Sequence, residues 1–467
     1  MTSKLKKYYG HILRDITIQT AGAEGNCVAR WDNLVVFVPY AAPGDVADIR
    51  VVGAKKKFLI GEIVTLHTPS PDRIQPLCSH FGVCGGCKWQ HVQYTSQLSW
   101  KQQVVLDAFT RLHKVQIPTI RPISGSDAIW HYRNKLEYSF SMCRWVLPGE
   151  PEEADRRAAG FHIPGRFDRI LDIETCFLQD DLNNQIRLFI KDMAFDLGLS
   201  FYHPKEQKGY MRNVIIRNNQ VGDWMVILII GDEDTSPAIQ ILDALCDKFP
   251  EIKSSFWVVN TKMNDTIYDL ETHPHRGAAF LTEGIDQLTF RVRPKSFFQP
   301  NGQQAGKLYH FALEMAQIKP TDVVYDLYCG TGTLSLLAAK KSAKVVGIES
   351  VPQAINDANE NAQQNGITNC HFEVGDMRFL FNNDLLNKYG PPDVVITDPP
   401  RSGMHEDVIR QLMEVGADRI VYVSCNPATQ ARDIQMMETT YEVAAIQPVD
   451  MFPHTHHVEN VVLLCKR

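Results

Sequence analysis

Two residues near the C-terminal end of the chain have the types and setting that covalent chemistry needs. Cys425 lies in Ser424-Cys425-Asn426-Pro427, directly after the expected strand Arg419–Val423. Most cysteines are small buried hydrophobes. A thiol flanked by polar and turn residues at a strand end is instead placed to attack an electron-poor carbon. An addition that ends in substitution then needs a base to remove a proton. Glu459, in His456-His457-Val458-Glu459, opens a later apolar run and carries a carboxylate to the same end of the sheet. His454, His456 and His457 crowd this stretch, but His456 and His457 are adjacent and should project to opposite faces of a strand, which argues against a metal there.

A second set of residues suits a ligand. Asp326-Leu-Tyr-Cys-Gly-Thr-Gly-Thr333 follows an apolar strand and opens a helix. Gly330 and Gly332 let backbone approach a ligand at a helix N-terminus. The dinucleotide fingerprint would need a third Gly at 335, where the chain has Ser, and no Walker Lys follows to suit ATP. Glu349 ends the next strand, where an acidic side chain can accept hydrogen bonds from both ribose hydroxyls. Gly375-Asp376 closes a third strand, at the level of an adenine ring. Asp398-Pro-Pro-Arg401 ends a fourth, its prolines fixing a rigid turn beside the crevice. Asp398 there can hold a substrate's polar edge or a charged centre of the ligand. Together these residues read as an S-adenosylmethionine site.

A methyl donor beside a thiol suggests one reaction. Carbon 5 of uracil is a poor nucleophile, but a thiolate added to carbon 6 converts the ring to an enolate whose carbon 5 can attack a methyl sulfonium. The carbon 5 proton must then leave, which is the expected task of Glu459. Cytosine-5 methylation uses the same thiol logic and is the enzymatic rival.

Four further cysteines form their own constellation. Cys78, Cys84 and Cys87 fall within ten residues, and Cys176 stands in Glu174-Thr-Cys-Phe-Leu. The chain holds 11 cysteines, an odd number spread over 467 residues, so a disulfide framework is not expected. Four thiolates suit either structural Zn²⁺ or an iron–sulfur cluster, and spacing alone does not divide the two.

The elements that must position these groups follow from periodicity. Segments 16–19, 35–39, 47–52 and 61–66 read as short strands separated by Gly, Asn, Asp and Pro turns, a small OB-like barrel over residues 1–67. Residues 68–94 show no periodicity, 96–114 look helical, and 147–157 read as an exposed loop. Residues 68–290 are expected to form a mixed α+β unit. From 291 to 467 strands and helices alternate as in a doubly wound, Rossmann-like parallel sheet, with a β-hairpin closing its edge.

Composition sets outer limits. Hydrophobic residues make up 44% and charged residues 22%, the profile of a globular protein with more than one core. No run of 18 apolar residues appears, and Met1–Lys7 lacks an apolar stretch behind its charges, so neither a membrane partner nor secretion is expected; the expected compartment is cytoplasmic. The net charge of −6 counts mildly against nucleic acid. The barrel segment, however, is net +3, with nine Lys or Arg against six Asp or Glu, and concentrates Lys55-Lys56-Lys57. Tyr132-Arg133-Asn134-Lys135 adds a second basic segment, making Arg133 and Lys135 candidate RNA contacts.

These motifs resemble the bacterial RNA uridine-5-methyltransferases of the 23S ribosomal RNA type, relatives of the tRNA uridine-5-methyltransferase. The resemblance covers nearly the whole chain. Val36-Phe37-Val38-Pro39 and Pro43-Gly44-Asp45 look like the signature of a TRAM barrel. Ser296-Phe297-Phe298-Gln299-Pro300-Asn301 is similar to the family's Phe-x-Gln-x-Asn element. The resemblance implies Gln299, Tyr328, Glu349 and Asp398 as contacts to S-adenosylmethionine, beside Gly330 and Asp376 already read from the turn and strand end, with Phe297 near the target base. It implies Cys425 as nucleophile, Glu459 as base, and a [4Fe–4S] cluster on Cys78, Cys84, Cys87 and Cys176. Thr333 departs from the Asn common in relatives. The expected partner is structured RNA, 23S rRNA ahead of tRNA, bound by a monomer. The non-enzymatic rival is an iron–sulfur RNA-binding protein without catalysis.

Overall fold

The computed structural model describes residues 4–147, 149–151 and 155–467. Residues 148 and 152–154 of the expected 147–157 loop lie outside the described residues.

The N-terminal strands close a barrel: β1 (Ile12–Ala21), β2 (Asn26–Trp31), β3 (Leu34–Pro39), β4 (Val46–Ala54) and β5 (Phe58–Thr68), in the order β1-β2-β3-β5-β4. Inward positions alternate with outward ones, so Val36 and Val38 on β3 and Ala47, Ile49 and Val51 on β4 are buried. Periodicity in the sequence marks four of the five strands. It misses β2, whose inward residues Cys27 and Ala29 are too small to mark a period. Asp32 and Asn33, both at positive φ, make the tight turn from β2 to β3. Asp45, fully buried, ties the barrel to the segment after β5: it accepts from Arg73 Nε and Nη2, each at 2.7 Å, and from the amides of Ala42 and Ser70.

The next layer is a seven-stranded sheet of β6 (Lys135–Ser141), β7 (Ala158–Ile163), β8 (Arg166–Asp172), β9 (Met211–Asn218), β10 (Trp224–Ile230), β11 (Ile252–Val259) and β12 (His273–Gly277), ordered β12-β11-β10-β9-β6-β7-β8. Helices Leu182–Asp196 and Ser236–Lys248 pack on it through Ile186, Ile190, Ile241 and Leu245. A hairpin of β13 (Leu281–Ile285) and β14 (Leu288–Val292) leads to the last sheet.

That sheet contains β15 (Val323–Leu327), β16 (Lys344–Glu349), β17 (Cys370–Val374), β18 (Val394–Thr397), β19 (Arg419–Ser424), β20 (Tyr441–Val449) and β21 (Glu459–Lys466). Their order is β17-β16-β15-β18-β19-β21-β20. The five parallel strands are covered by helices, which is why β15 (VVYDL) and β18 (VVIT) read as mostly apolar, buried runs, broken in β15 by Asp326. Chain order reverses between β15 and β18, and ligands bind outside the carboxyl ends of strands at such a point. The closing hairpin is inserted with β21 between β19 and β20. Because β21 runs antiparallel, it is its first residue, Glu459, that reaches the carboxyl edge of the parallel strands.

One buried ion pair holds the loop before Glu459. Helix Tyr94–Asp107 continues as a π-helical turn over Ala108–Leu112, matching the expected 96–114. Its Lys101 donates to Asp450 Oδ1 (2.6 Å) and Phe452 O (3.0 Å), and Tyr94 donates to Asp450 Oδ2 (2.8 Å). Both partners of the pair are fully buried. Removing one leaves an uncompensated buried charge, so Lys101→Ala should lower unfolding free energy by about 3–5 kcal/mol in a urea titration. A loss under about 1 kcal/mol would show that water reaches Asp450.

Candidate active site

Four strand ends meet in one crevice. After β15 the chain turns through Tyr328, whose φ of 64° is a left-handed conformation uncommon outside glycine, and Gly330 follows in the same region. The Gly330 amide donates to Glu349 Oε2 at 3.2 Å, while Glu349 Oε1 accepts from Ser350 Oγ and the Val351 amide. Ser335, the residue that breaks the dinucleotide fingerprint, donates to Asp326 Oδ2 at 2.6 Å and fastens the glycine turn to β15. Asp376 caps the helix Met377–Leu380 and pairs with Arg378, which holds its carboxyl down at about 2.

The nucleophile candidate is bound into this framework by its own motif. Asn426 caps the helix Pro427–Met437, and both Asn426 Nδ2 (3.1 Å) and Thr429 Oγ1 (3.2 Å) donate to the Arg401 carbonyl. The Cys425 turn and the Asp398–Arg401 turn are thereby one unit. Gln430 donates to the carbonyls of Tyr422 and Asn460, clamping β19 to β21. The last β19–β21 pair is Ser424 with Asn460, so Cys425 and Glu459 flank the next rung.

The crevice gathers carboxyls that burial keeps partly protonated. Asp326 and Asp398 are each raised to about 7 and Glu459 to about 8, in every case by burial first. Asp398 then raises Glu459, and Asp326 raises Asp398. Cys425 is half-buried; burial, then Glu459 and Asp398, push its thiol up to about 11, and Arg401 pulls the other way. Tyr309, on the helix Gly302–Ala316, is buried among Asp398, Asp326 and Glu459 and hydrogen-bonds the Gln299 side chain. Sequence reasoning missed Tyr309, since a lone Tyr in an amphipathic helix carries no motif.

The Phe-x-Gln element is pinned from both sides. Asn134 Nδ2 donates to Gln299 O, and Asn301 donates to Met451 O while capping its helix. Gln299 is buried at this junction, whereas Phe297 is 65% exposed. The histidines need a correction. His456 and His457 precede β21 in a loop, not a strand, and their rings lie 4.2 Å apart on one side.

Comparison with known proteins fits this arrangement. The tRNA (Uracil-5-)-methyltransferase family signature matches residues 281–467, and the TRAM domain signature residues 8–64. An uncharacterized RNA methyltransferase of Bacteroides thetaiotaomicron is 47% identical over 449 residues, covering 95% of this chain and 99% of its own. One from Porphyromonas gingivalis is 47% identical over 460 residues, covering 96% and 99%. The crystal structure of Pyrococcus abyssi tRNA (uracil-54, C5)-methyltransferase in complex with S-adenosyl-L-homocysteine superposes with a TM-score of 0.75 at 27% identity, over 97% of this chain and 100% of that one. The chain belongs to the RNA uracil-5-methyltransferase family. It is thus an S-adenosylmethionine-dependent enzyme, and the barrel of this methyltransferase is a TRAM domain.

The four cysteines of the methyltransferase expected to hold a cluster, Cys78, Cys84, Cys87 and Cys176, together line one cavity of about 130 Å³, with Arg133 on its wall. Burial and mutual proximity raise the Cys84 and Cys87 thiols. Among the described residues, no three of these sulfurs lie within 4.8 Å of one another. Four thiolates on a single Zn²⁺ would sit ~3.8 Å apart, given Zn–S bonds of ~2.3 Å in a tetrahedron.

The two basic candidates are not equivalent to surface cations. Arg133 is half-buried, its guanidinium 5.4 Å from the Phe452 ring and its Nε without a partner. Lys135 sits half-buried on β6, its amine lowered by burial and by Arg217. Neither forms part of an open basic face. Lys55, Lys56 and Lys57 at the β4–β5 turn are exposed.

Proposed function

We propose that this enzyme methylates carbon 5 of a uridine in structured RNA through a covalent bond between Cys425 and carbon 6, with 23S rRNA the favoured RNA. The observation that carries this reading is the antiparallel β21, which sets Glu459 beside Cys425 at the edge where Asp326, Glu349 and Asp398 converge. Bound S-adenosylmethionine supplies an electrophilic methyl group. The residues fit it: Glu349 faces the Gly330 turn, and the carboxyls of Asp398 and Asp326 complement a cation.

The protein's part follows from charge. Arg401 favours the Cys425 thiolate, and a cationic donor in the crevice acts in the same direction. The thiolate adds to carbon 6, and carbon 5 takes the methyl group as the donor's S–CH₃ bond breaks. Glu459 then accepts the carbon 5 proton, carbon 6 releases the thiolate, and the ring double bond is restored. Phe297, being exposed beside Gln299, can stack on the turned-out base.

The four thiols and their cavity support a [4Fe–4S] cluster held by Cys78, Cys84, Cys87 and Cys176, with a structural role. A tRNA target is the second reading, favoured by the likeness to the Pyrococcus abyssi tRNA enzyme over 97% of the chain. Mapping 5-methyluridine, position by position, in rRNA and tRNA of a deletion strain decides between them. Loss confined to 5-methylcytidine would overturn both.

The pH profile offers a direct check. A base acts when deprotonated, and Glu459 titrates near 8 with Asp398 near 7. Release of free 5-methyluridine RNA, the step that follows proton removal, should therefore rise from about pH 6.5 to about pH 8.5, by up to roughly tenfold per unit below the controlling value. Asp398→Asn removes the charge that lifts Glu459, so the rise should move to lower pH. A flat profile over this range would remove Glu459 from the rate-limiting step.

RNA affinity should show the barrel's charge. Exposed Lys56 and Lys57 are expected to neutralise phosphates and release counterions. The double Lys56→Ala/Lys57→Ala variant should lower the slope of log affinity against log salt by up to about 2, with donor binding unchanged. An unchanged slope places the RNA path away from the β4–β5 turn.

A further inference from the structure

We infer that a groove on the central sheet, beside the cysteine cavity, is a second RNA subsite that takes an unpaired nucleotide flanking the target uridine. The inference rests on RNA being the substrate. The groove has a volume of about 860 Å³ and runs between β6, the β7–β8 turn and β9, reaching Cys84 and Gly85 of the cysteine loop.

Its lining has the chemistry that a nucleotide needs. Phe167 is 76% exposed, a large aromatic surface with nothing packed over it to account for its position. Tyr202 lies with its ring 4.1 Å from the Arg212 guanidinium carbon, and its buried hydroxyl has no partner. Asn213, only 3% exposed, donates through Nδ2 to Ser139 Oγ at 3.1 Å. Its Oδ1 is buried and meets no donor among the described residues. An amide oxygen held in this way accepts from a base N–H, and aromatic faces with nearby cations are how single strands are bound. Arg166 and Lys88 on the rim supply charge for phosphates.

The groove also connects to the crevice. The Lys88 amide donates to His454 O at 2.8 Å, which puts Lys88 against the loop that leads to Glu459. Arg401 acts on both His457 and Cys425. A strand leaving the crevice past Arg401 and the His456–His457 pair therefore meets Lys88 and then the groove.

The test uses full-length protein purified without oxygen and fluorescent rU10, rA10 and rC10. Phe167→Ala should weaken binding of at least one oligomer about tenfold with an unchanged thermal midpoint, because the side chain is exposed. Tyr202→Phe keeps the ring and should reduce discrimination among the three oligomers. A 4-thiouridine-substituted rU10 should cross-link within residues 163–213. Unchanged affinities for all three oligomers in Phe167→Ala, without cross-links in that segment, would overturn the subsite. Binding of UMP as tight as rU10 would make it a free-nucleotide site and overturn the strand assignment. Trapping of the wild type by 5-fluorouridine RNA at Cys425 reports on the catalytic reading separately, whatever the groove does.

Discussion

Glu459→Gln protein mixed with RNA and S-adenosylmethionine should accumulate a protein–RNA adduct that survives a denaturing gel. The substitution keeps size and hydrogen-bonding reach but removes the base. Attack and methyl transfer can proceed, and the carbon 5 proton then has no acceptor. Turnover should fall by roughly 10³-fold or more, within the range general bases contribute. Wild-type enzyme should be trapped in the same way by 5-fluorouridine RNA, since fluorine does not leave as a cation. Cys425→Ala should abolish both adducts and reduce turnover by roughly 10⁴-fold or more, with donor binding intact. Residual adduct in Cys425→Ala would move the nucleophile elsewhere. Cys329 is a poor substitute, being buried with its thiol raised well above the ordinary value by burial and by Asp326. Normal turnover by Glu459→Gln would assign proton removal to another group, with Asp398 nearest in charge coupling.

Protein purified without oxygen should be brown and carry about four iron atoms per chain. Cys176→Ser should lose the colour and most of the iron. Cys176 is buried, and its amide donates to Asn184 Oδ1 at 2.8 Å, so cluster loss should also loosen the helix Leu182–Asp196 against β6. The effect should extend to catalysis. The amides of Lys88 and Trp89 both donate to the His454 carbonyl, at 2.8 and 3.0 Å, and Trp89 Nε1 donates to Gly25 O of the barrel. The cysteine loop thus braces the segment that ends at Glu459. Methylation and RNA affinity should fall several-fold or more, while S-adenosylhomocysteine binding changes little. One zinc per chain and no visible absorption would replace the cluster with a single metal ion.

Much of the C-terminal sheet was legible because the central parallel strands, buried on both faces, leave mostly apolar runs, and each is followed closely by a residue with an expected task. Tyr328, Glu349, Asp398 and Cys425 could be placed on one edge from chain order alone. Glu459 could be placed only through the hairpin, since no helix separates the last two strands. Contacts made across the chain were not legible. Asp326 depends on Ser335 nine residues on, Asp450 on Lys101 over three hundred residues earlier, and Tyr309 enters the carboxyl group from a helix with no motif. The surroundings of Arg133 were hidden for the same reason. Its neighbours in sequence suggest a basic surface, and its neighbours in space are Phe452 and the cysteine cavity. The histidine pair departs from expectation because β21 begins only at Glu459, so strand alternation does not yet govern His456 and His457.

The pairing of β19 with β21 has a consequence for how such an enzyme can change over time. Cys425 and Glu459, the proposed nucleophile and base, both hang on one hydrogen-bonded ladder, clamped further by Gln430. Their register is therefore set by backbone repeat distances; the barrel and the central sheet brace the approach to Glu459 from outside but do not set that register. Those outer parts can be exchanged, lengthened or retuned toward another RNA while the reacting groups stay in register. Lineages of this architecture are free to acquire new targets by altering the periphery alone, and chimaeras that swap residues 1–67 between relatives should keep their chemistry while changing which transcript they modify.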